Sequence, residues 1–223
     1  MINQEFEFPE YIGLFRNYSE LDDIYICGGY LRNYFLSGKP GKDIDVFIPC
    51  TPKQLQALQT YLSDYGAIEF GQYGSPRFYP NDGHRNYVDI IPFYNFIVSE
   101  GEITDITSLL NNFDFSANAI AYNLKTGILE DPTNGVADIN NRVLRALRTD
   151  FPEKYLPEPI NLSTNTVFWF RLLHYKNVLG FTFEKNTRNW ILDNTWRYKD
   201  LDIFKKYFFD PSISEEMKLK ICI

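Results

Sequence analysis

Apolar and polar residues alternate in this chain in short blocks. Ile24–Cys27 is a brief apolar run that stops at Gly28-Gly29 and reads as a strand. Tyr30–Leu36 then reads as a helix, closed by Ser37-Gly38 and kept from continuing by Pro40. Asp43–Ile48 reads as a second strand. Thr51-Pro52 is a helix start, with Thr as N-cap and Pro at the first helical position. Leu55, Leu58, Leu62 and Tyr65 follow at helical spacing until Gly66. A shorter helix is expected around Tyr11–Tyr18. Ala67–Tyr73, Arg77–Tyr79 and Asn86–Phe93 read as strands, with an Asn81-Asp82-Gly83 turn between the last two.

Thr107–Asn112 reads as a helical turn. Asn118–Leu124 and Ile128–Glu130 form a hairpin about Lys125-Thr126-Gly127, and Val136–Leu147 reads as a helix. Three prolines, Pro152, Pro157 and Pro159, place a boundary within Thr149–Ser163. Beyond it Val167–Val178, Arg188–Trp196 and Leu201–Phe209 are helical in pattern. The expected architecture is α+β. A mixed sheet occupies a head over residues 1–148, and residues 149–223 form a short helical unit.

Composition narrows the class of molecule. The 223 residues hold no apolar run of about 18, so no transmembrane helix or membrane partner is expected. The first residues lack the basic and apolar segments of a secretory signal. Cys27, Cys50 and Cys222 are too scattered for a zinc site or a disulfide framework. Together these predict a reduced, cytoplasmic protein. The net charge of -7 excludes a generally phosphate-binding surface, so any RNA would be gripped locally.

The candidate chemistry lies in the second strand. Residues i and i+2 of a strand share a face, so Asp43 and Asp45 project side by side. That arrangement is costly without a cation. Clustered carboxylates suit Mg²⁺, with Mn²⁺ as a substitute, and paired metals ~4 Å apart clamp an in-line phosphoryl displacement. Gly28-Gly29 just upstream lets backbone amides approach a phosphate, and the helix that follows favours an anion. Asp89 is a carboxylate inside the apolar run Tyr-Val-Asp-Ile-Ile, and such a group needs a partner. The partner is either the reaction or an arginine such as Arg77. Asp131 and Asp138 read as turn and cap residues, and Arg145 as an ion-pair tie. His84 and His174 read as surface or packing histidines, and Phe168-Trp169-Phe170 as core.

Four blocks in fixed order carry a resemblance. They are Cys-Gly-Gly-Tyr-Leu-Arg-Asn-Tyr-Phe-Leu-Ser-Gly (27–38), Lys-Asp-Ile-Asp-Val-Phe-Ile (42–48), Asp-Phe-Ser-Ala-Asn-Ala-Ile-Ala-Tyr (114–122) and Asp-Pro-Thr-Asn-Gly-Val-Ala-Asp-Ile (131–139). The likeness ends well at Arg145 and extends weakly to Arg171 and Leu179-Gly180-Phe181. The chain resembles the class II CCA-adding enzymes and bacterial poly(A) polymerases of the DNA polymerase β nucleotidyltransferase superfamily. The resemblance implies a polymerase-β-like head with a neck-like helical unit behind it. It implies transfer of a nucleoside monophosphate from a nucleoside triphosphate to a hydroxyl, most simply an RNA (tRNA-like) 3′ end. It assigns Asp43 and Asp45 to two Mg²⁺ ions and Asp89 to a third catalytic carboxylate. Gly28, Gly29, Arg32, Asp114, Asn118 and Arg171 fall to the nucleotide.

The chain also departs from the family pattern. Asn112 and Phe113 stand where the family carries two arginines before the Asp-Phe block. Lys39, Lys42, Arg77 and Arg85 are the available substitutes. Thr164, Asn165 and Phe168 stand, in ungapped register, where the family places its base-reading segment, leaving Arg171. Two rival readings follow. One is a nucleotidyltransferase acting on a protein or small molecule. The other is a catalytically silent nucleotide-binding module.

Overall fold

The computed structural model describes residues 6–71, 74–83, 86–96, 103–150 and 153–221. His84, Arg85, Pro152, Cys222 and the end of the strand expected to reach Tyr73 lie outside them. In chain order the elements are α1 (Ile12–Asn17), β1 (Tyr25–Cys27), α2 (Gly29–Ser37), β2 (Ile44–Ile48), α3 (Pro52–Ser63), β3 (Gly66–Phe70), β4 (Pro76–Pro80) and β5 (Val88–Pro92). They continue with α4 (Ile106–Leu110), β6 (Ala121–Asn123), β7 (Leu129–Glu130), α5 (Gly135–Asn140), β8 (Val143–Leu144), α6 (Thr164–Val178), β9 (Thr182–Phe183), α7 (Lys185–Asp193), α8 (Leu201–Tyr207) and α9 (Glu215–Ile221).

Seven strands form one mixed sheet in the order β3-β4-β5-β2-β1-β6-β7. Within this sheet, among the described residues, only β2 and β5 pair in parallel, and their connection contains α3 and the β3–β4 hairpin. α3 begins as its sequence dictates. Thr51 and Gln54 form a reciprocal capping box, with Pro52 inside it.

Period-two alternation gives the sheet two apolar faces. Ile26, Ile44, Val46, Ile48, Val88 and Ile90 enter the main core with Leu31, Leu58 and Phe78. Tyr25, Cys27, Phe47 and Ala121 turn to the other face, where Phe93, Leu109, Leu110 and Phe113 cover them. The α+β class and mixed sheet are therefore as expected. The main core continues into the C-terminal helices through Trp169, Phe170, Leu172, Ile191 and Phe204.

Two of the expected helices need correction. The helix anticipated over Val136–Leu147 ends at Asn140, because Arg142 adopts φ 53°, a left-handed conformation that no helix continues through. Val143 and Leu144 instead pair in parallel with Thr182 and Phe183. The proline-bearing stretch, where the boundary is expected, is hydrogen-bonded over its described residues, with Leu156 N–H donating to Leu162 O at 2.8 Å and Thr164 N–H to Lys154 O at 2.8 Å. The helix expected over Arg188–Trp196 starts and ends three residues earlier, capped by Glu184.

Candidate functional site

One row of the sheet gathers charge. Register aligns Glu69 of β3, Arg77 of β4, Asp89 of β5, Asp45 of β2 and Cys27 of β1 across five neighbouring strands. Arg77 binds Asp89 through both oxygens, Nε to Oδ1 at 2.7 Å and Nη2 to Oδ2 at 3.2 Å. The same guanidinium lies 4.1 Å from the Tyr87 ring. Asp89 thus has the arginine partner that one of the two sequence readings required.

Asp45, the next residue in the row, has no such neutralisation. Among the described residues neither Asp43 nor Asp45 makes an ion pair. Burial, then the negative charges of Asp89 and Asp43, push the Asp45 carboxyl up to about 7, against the weaker pull of Arg171 and Arg77. Its field also raises the Cys27 thiol, which burial already holds well above its ordinary value. Asp43, exposed just ahead of β2, receives the Tyr87 hydroxyl.

Gly28 and Gly29 stand directly against this pair. Gly28 holds φ 81° and ψ -140° as the N-cap of α2, a conformation that only glycine adopts without strain. A Cβ there would lie 3.6 Å from Asp45 Oδ2. The loop that delivers Asp43 is pressed onto the same turn, since a Cβ on Gly41 would come within 3.1 Å of Gly29 O. Backbone and carboxylates therefore border a common cavity of about 450 Å³.

A hydrogen-bonded chain borders the same cavity. Arg32 Nη1 donates to Asn118 Oδ1 at 2.5 Å, and Asn118 Nδ2 donates to Asp114 Oδ1 at 3.2 Å. Arg171 of α6 donates to Asp114 Oδ2 from Nε at 2.8 Å and Nη2 at 2.7 Å. Both guanidinium groups lie over the Tyr175 ring, at 5.0 Å for Arg32 and 5.3 Å for Arg171. Burial lowers the Arg32 pKa, against Tyr175 and Asp114, and Arg171 lowers it further. Burial pulls Arg171 down too, but Asp114 and Tyr175 carry it above its ordinary value.

The structure thus gathers eight of the nine sequence-predicted residues around one cavity: Gly28, Gly29, Arg32, Asp43, Asp45, Asp114, Asn118 and Arg171. Asp89 is the exception: it stands beside Asp45 in the neighbouring strand, paired to Arg77 and outside the cavity lining. Of the substitute cations, Lys42 borders the cavity, Arg77 is engaged, and Lys39 is exposed outside the lining. Phe113 fills its position with a ring, packed at 5.5 Å from Phe47 and 5.3 Å from Phe96. Asn112 Nδ2 donates to Ser108 O at 2.8 Å. Thr164 and Asn165 bond to Lys154 and Glu153, anchoring the start of α6. Arg145 makes the anticipated ion pair, with Asp138 at 2.8 Å, and Asp131 accepts from the amides of Gly135 and Val136.

Sequence reasoning missed Tyr175 and Phe208. Tyr175 follows Arg171 by four residues, the spacing of neighbours on one helix face, which was the available signal. Phe208 gives no such signal, since only tertiary packing brings it to the cavity. His174 also has a specific role, its Nδ1 accepting the Ser212 amide at 3.0 Å.

The carboxylate pair fits a divalent cation. Two unneutralised oxygen donors face one cavity, and crowding by like charge is what a cation would relieve. Among the described residues no three His, Cys, Asp or Glu side chains form a ready cage. Mg²⁺ is ordinarily held by one or two carboxylates together with substrate phosphates.

Comparison with known proteins finds a family and a set of distant relatives. The poly A polymerase head domain family matches residues 93–145. A multifunctional CCA protein of Stenotrophomonas maltophilia is 29% identical over 170 residues, 74% of this chain and 38% of that protein. A CC-adding tRNA nucleotidyltransferase of Halalkalibacterium halodurans is 28% identical over 173 residues, 76% of this chain and 39% of that protein. This chain therefore spans about two-fifths of the length of these relatives. A solved CCA-adding enzyme with CTP superposes at a TM-score of 0.66 and 20% identity, over 87% of this chain and 45% of that one. The Thermotoga maritima CCA-adding enzyme complexed with tRNA superposes at 0.65 and 18% identity, over 97% of this chain and 50% of that one.

Proposed function

We propose that this chain, which matches the poly A polymerase head domain family over residues 93–145 and is a distant homologue of the CCA-adding enzymes over most of its length, transfers a nucleoside monophosphate from a nucleoside triphosphate to a hydroxyl acceptor, releasing pyrophosphate. The acceptor in this reading is an RNA (tRNA-like) 3′ end. One observation carries it: Asp43, Asp45, the Gly28-Gly29 turn, Arg32 and Arg171 border a single cavity.

Residues 1–148 form the transferase head, and residues 149–223 act as a neck-like unit whose helix α6 supplies one wall. Asp43 and Asp45 would hold Mg²⁺, which when bound offsets charge on the reacting phosphate oxygens. The glycine turn lets backbone amides at the start of α2 approach the triphosphate. Arg32 and Arg171 neutralise the phosphate tail, Asp114 and Asn118 fixing their orientation. Lys42 adds a third cation at the rim. Asp89 supplies the third carboxylate, and it accepts a proton from the attacking hydroxyl when Arg77 yields one of its oxygens. Catalysis in this scheme comes from positioning and preorganised charge.

The test is incubation with Mg²⁺, each of four α-labelled triphosphates and total RNA. Label at RNA 3′ ends, lost in Asp45→Asn, is expected. Label confined to protein or small metabolites moves the acceptor to another class. No labelled product from any triphosphate would overturn the transferase reading.

A further inference from the structure

The cavity is lined by groups of two chemical kinds. The glycine turn, the carboxylates and the guanidinium pair are polar or charged. Leu156, Val167, Phe168 and Phe208 give it an apolar wall drawn from the 153–163 segment, α6 and the end of α8. Phe208 is half-buried there and stacks on Phe204, with ring centres 5.0 Å apart and planes inclined at 14°. Phe204 is itself fully buried and stacks on Phe170. Phe208 thus ends a column of three stacked rings, Phe170, Phe204 and Phe208.

We infer that this wall takes the nucleobase by its flat face and leaves its edge unread, so that the site accepts all four nucleoside triphosphates. The inference rests on the nucleotidyl-transfer reading above. Reading a base edge needs donors and acceptors in a fixed pattern. The cavity's amide and carboxylate acceptors on the guanidinium side are already engaged from within. Asn118 Oδ1 receives Arg32, Asn33 Oδ1 receives Arg32 twice, and Asp114 receives Asn118, the Phe115 amide and Arg171. Among the described residues, what that side then offers a base is donors rather than acceptors, and every base presents an acceptor to a donor. Stacking is indifferent to base identity, because each base has a π face.

Magnitudes separate the alternatives. Contact in an apolar pocket discriminates by ~10–200-fold, whereas a site built for a substrate's hydrogen bonds discriminates by ~10⁴–10⁵. Binding of ATP, GTP, CTP and UTP to the full chain, with Mg²⁺, is measured by calorimetry. The four dissociation constants are expected to lie within the ~200-fold that apolar contact allows. A wider spread overturns the inference and leaves the transferase reading intact. Failure of all four to bind overturns both.

A variant gives a second readout. Phe208→Leu keeps an apolar side chain but removes the π face, at a half-buried position where circular dichroism can verify the fold. It is expected to weaken all four triphosphates by a similar factor, about tenfold. Inorganic tripolyphosphate, which has no base, should bind the variant and the parent equally. If Phe208→Leu spares the nucleotides, or weakens tripolyphosphate as much, the apolar wall is not the base wall.

Discussion

Arg171 closes the site by binding Asp114 Oδ2 through two nitrogens, at 2.8 and 2.7 Å, across 57 positions of sequence. The Asp114 side chain is only 5% exposed. Removing the guanidinium strands this carboxylate among neutral donors. Breaking one partner of such a pair costs ~3–5 kcal/mol when fully buried. Arg171 is itself 29% exposed, so the lower end applies. Arg171→Ala should therefore lose about 3 kcal/mol, a fall of roughly 6–12 °C in melting temperature for a chain of this size. Arg171→Lys should recover part of it. Differential scanning calorimetry decides, and a melting temperature unchanged in Arg171→Ala would show that the pair holds nothing.

The site's two halves differ in how far they could be read from sequence, and the difference is one of range. The glycine turn and the alternate aspartates are local. Period two in β2 sends Asp45 away from Ile44 and Val46 whatever the rest of the chain does. Strand β5 and the capping box of α3 are equally local. The Arg171–Asp114 bond, the approach of Arg32 to the Tyr175 ring and the Phe208 lining depend on where α6 and α8 dock, which no spacing encodes. Arg142 shows the opposite failure. Val136–Leu147 has helical spacing, but one left-handed residue and a two-residue pairing with Thr182-Phe183 override it. Asp89 was legible as a group in need of a partner, and choosing Arg77 required the β4–β5 register.

Asp45 stands in like-charged company, with Asp89 beside it in register and Asp43 two residues before it. Asp45→Asn removes that repulsion and conserves shape. In EDTA the variant should melt no lower than the parent. Mg²⁺ should raise the melting temperature of the parent but not of the variant, and nucleotidyl transfer should vanish. Transfer that persists in Asp45→Asn would sink the metal role, and a lower melting temperature in EDTA would contradict the crowding.

Gly28 joins the fold to the site. Its φ of 81° with ψ of -140° lies in a region nearly closed to other residues, at a cost of ~1–3 kcal/mol for a side chain forced there. Gly28→Ala should lower stability by that amount. It should also weaken triphosphate binding, because relaxing the strain tilts the first amides of α2 away from Asp45. Gly38 is the control, since its φ is 70° and a Cβ there meets nothing within 4 Å. Gly38→Ala should lose stability without loss of nucleotide affinity. Equal effects on affinity from both variants would remove the special role of the turn.

Glu153 supplies a pH signature for the attachment of α6. Its carboxylate accepts from Arg197, 3.3 Å from Nη1 to Oε2, and from Asn165 Nδ2 at 3.1 Å. Hydrogen bonding from Arg197 foremost, against burial, draws the Glu153 pKa from 4.5 down to about 2. A carboxylate depressed in the folded state binds fewer protons there than in the unfolded chain. Its stabilisation is therefore complete above about 4.5 and disappears as pH falls toward 2. The Glu153 side chain is 43% exposed, so solvent screening reduces the contribution to about 1 kcal/mol. Glu153→Gln should be less stable than the parent by a constant amount at neutral pH. The gap should narrow below pH 4.5 and close near 2, and high salt should shrink it at every pH. Urea titrations across that range measure it. A gap that stays constant down to pH 2 would mean that Glu153 acts through shape or neutral hydrogen bonds, and that its charge plays no part in holding the start of α6 against Arg197.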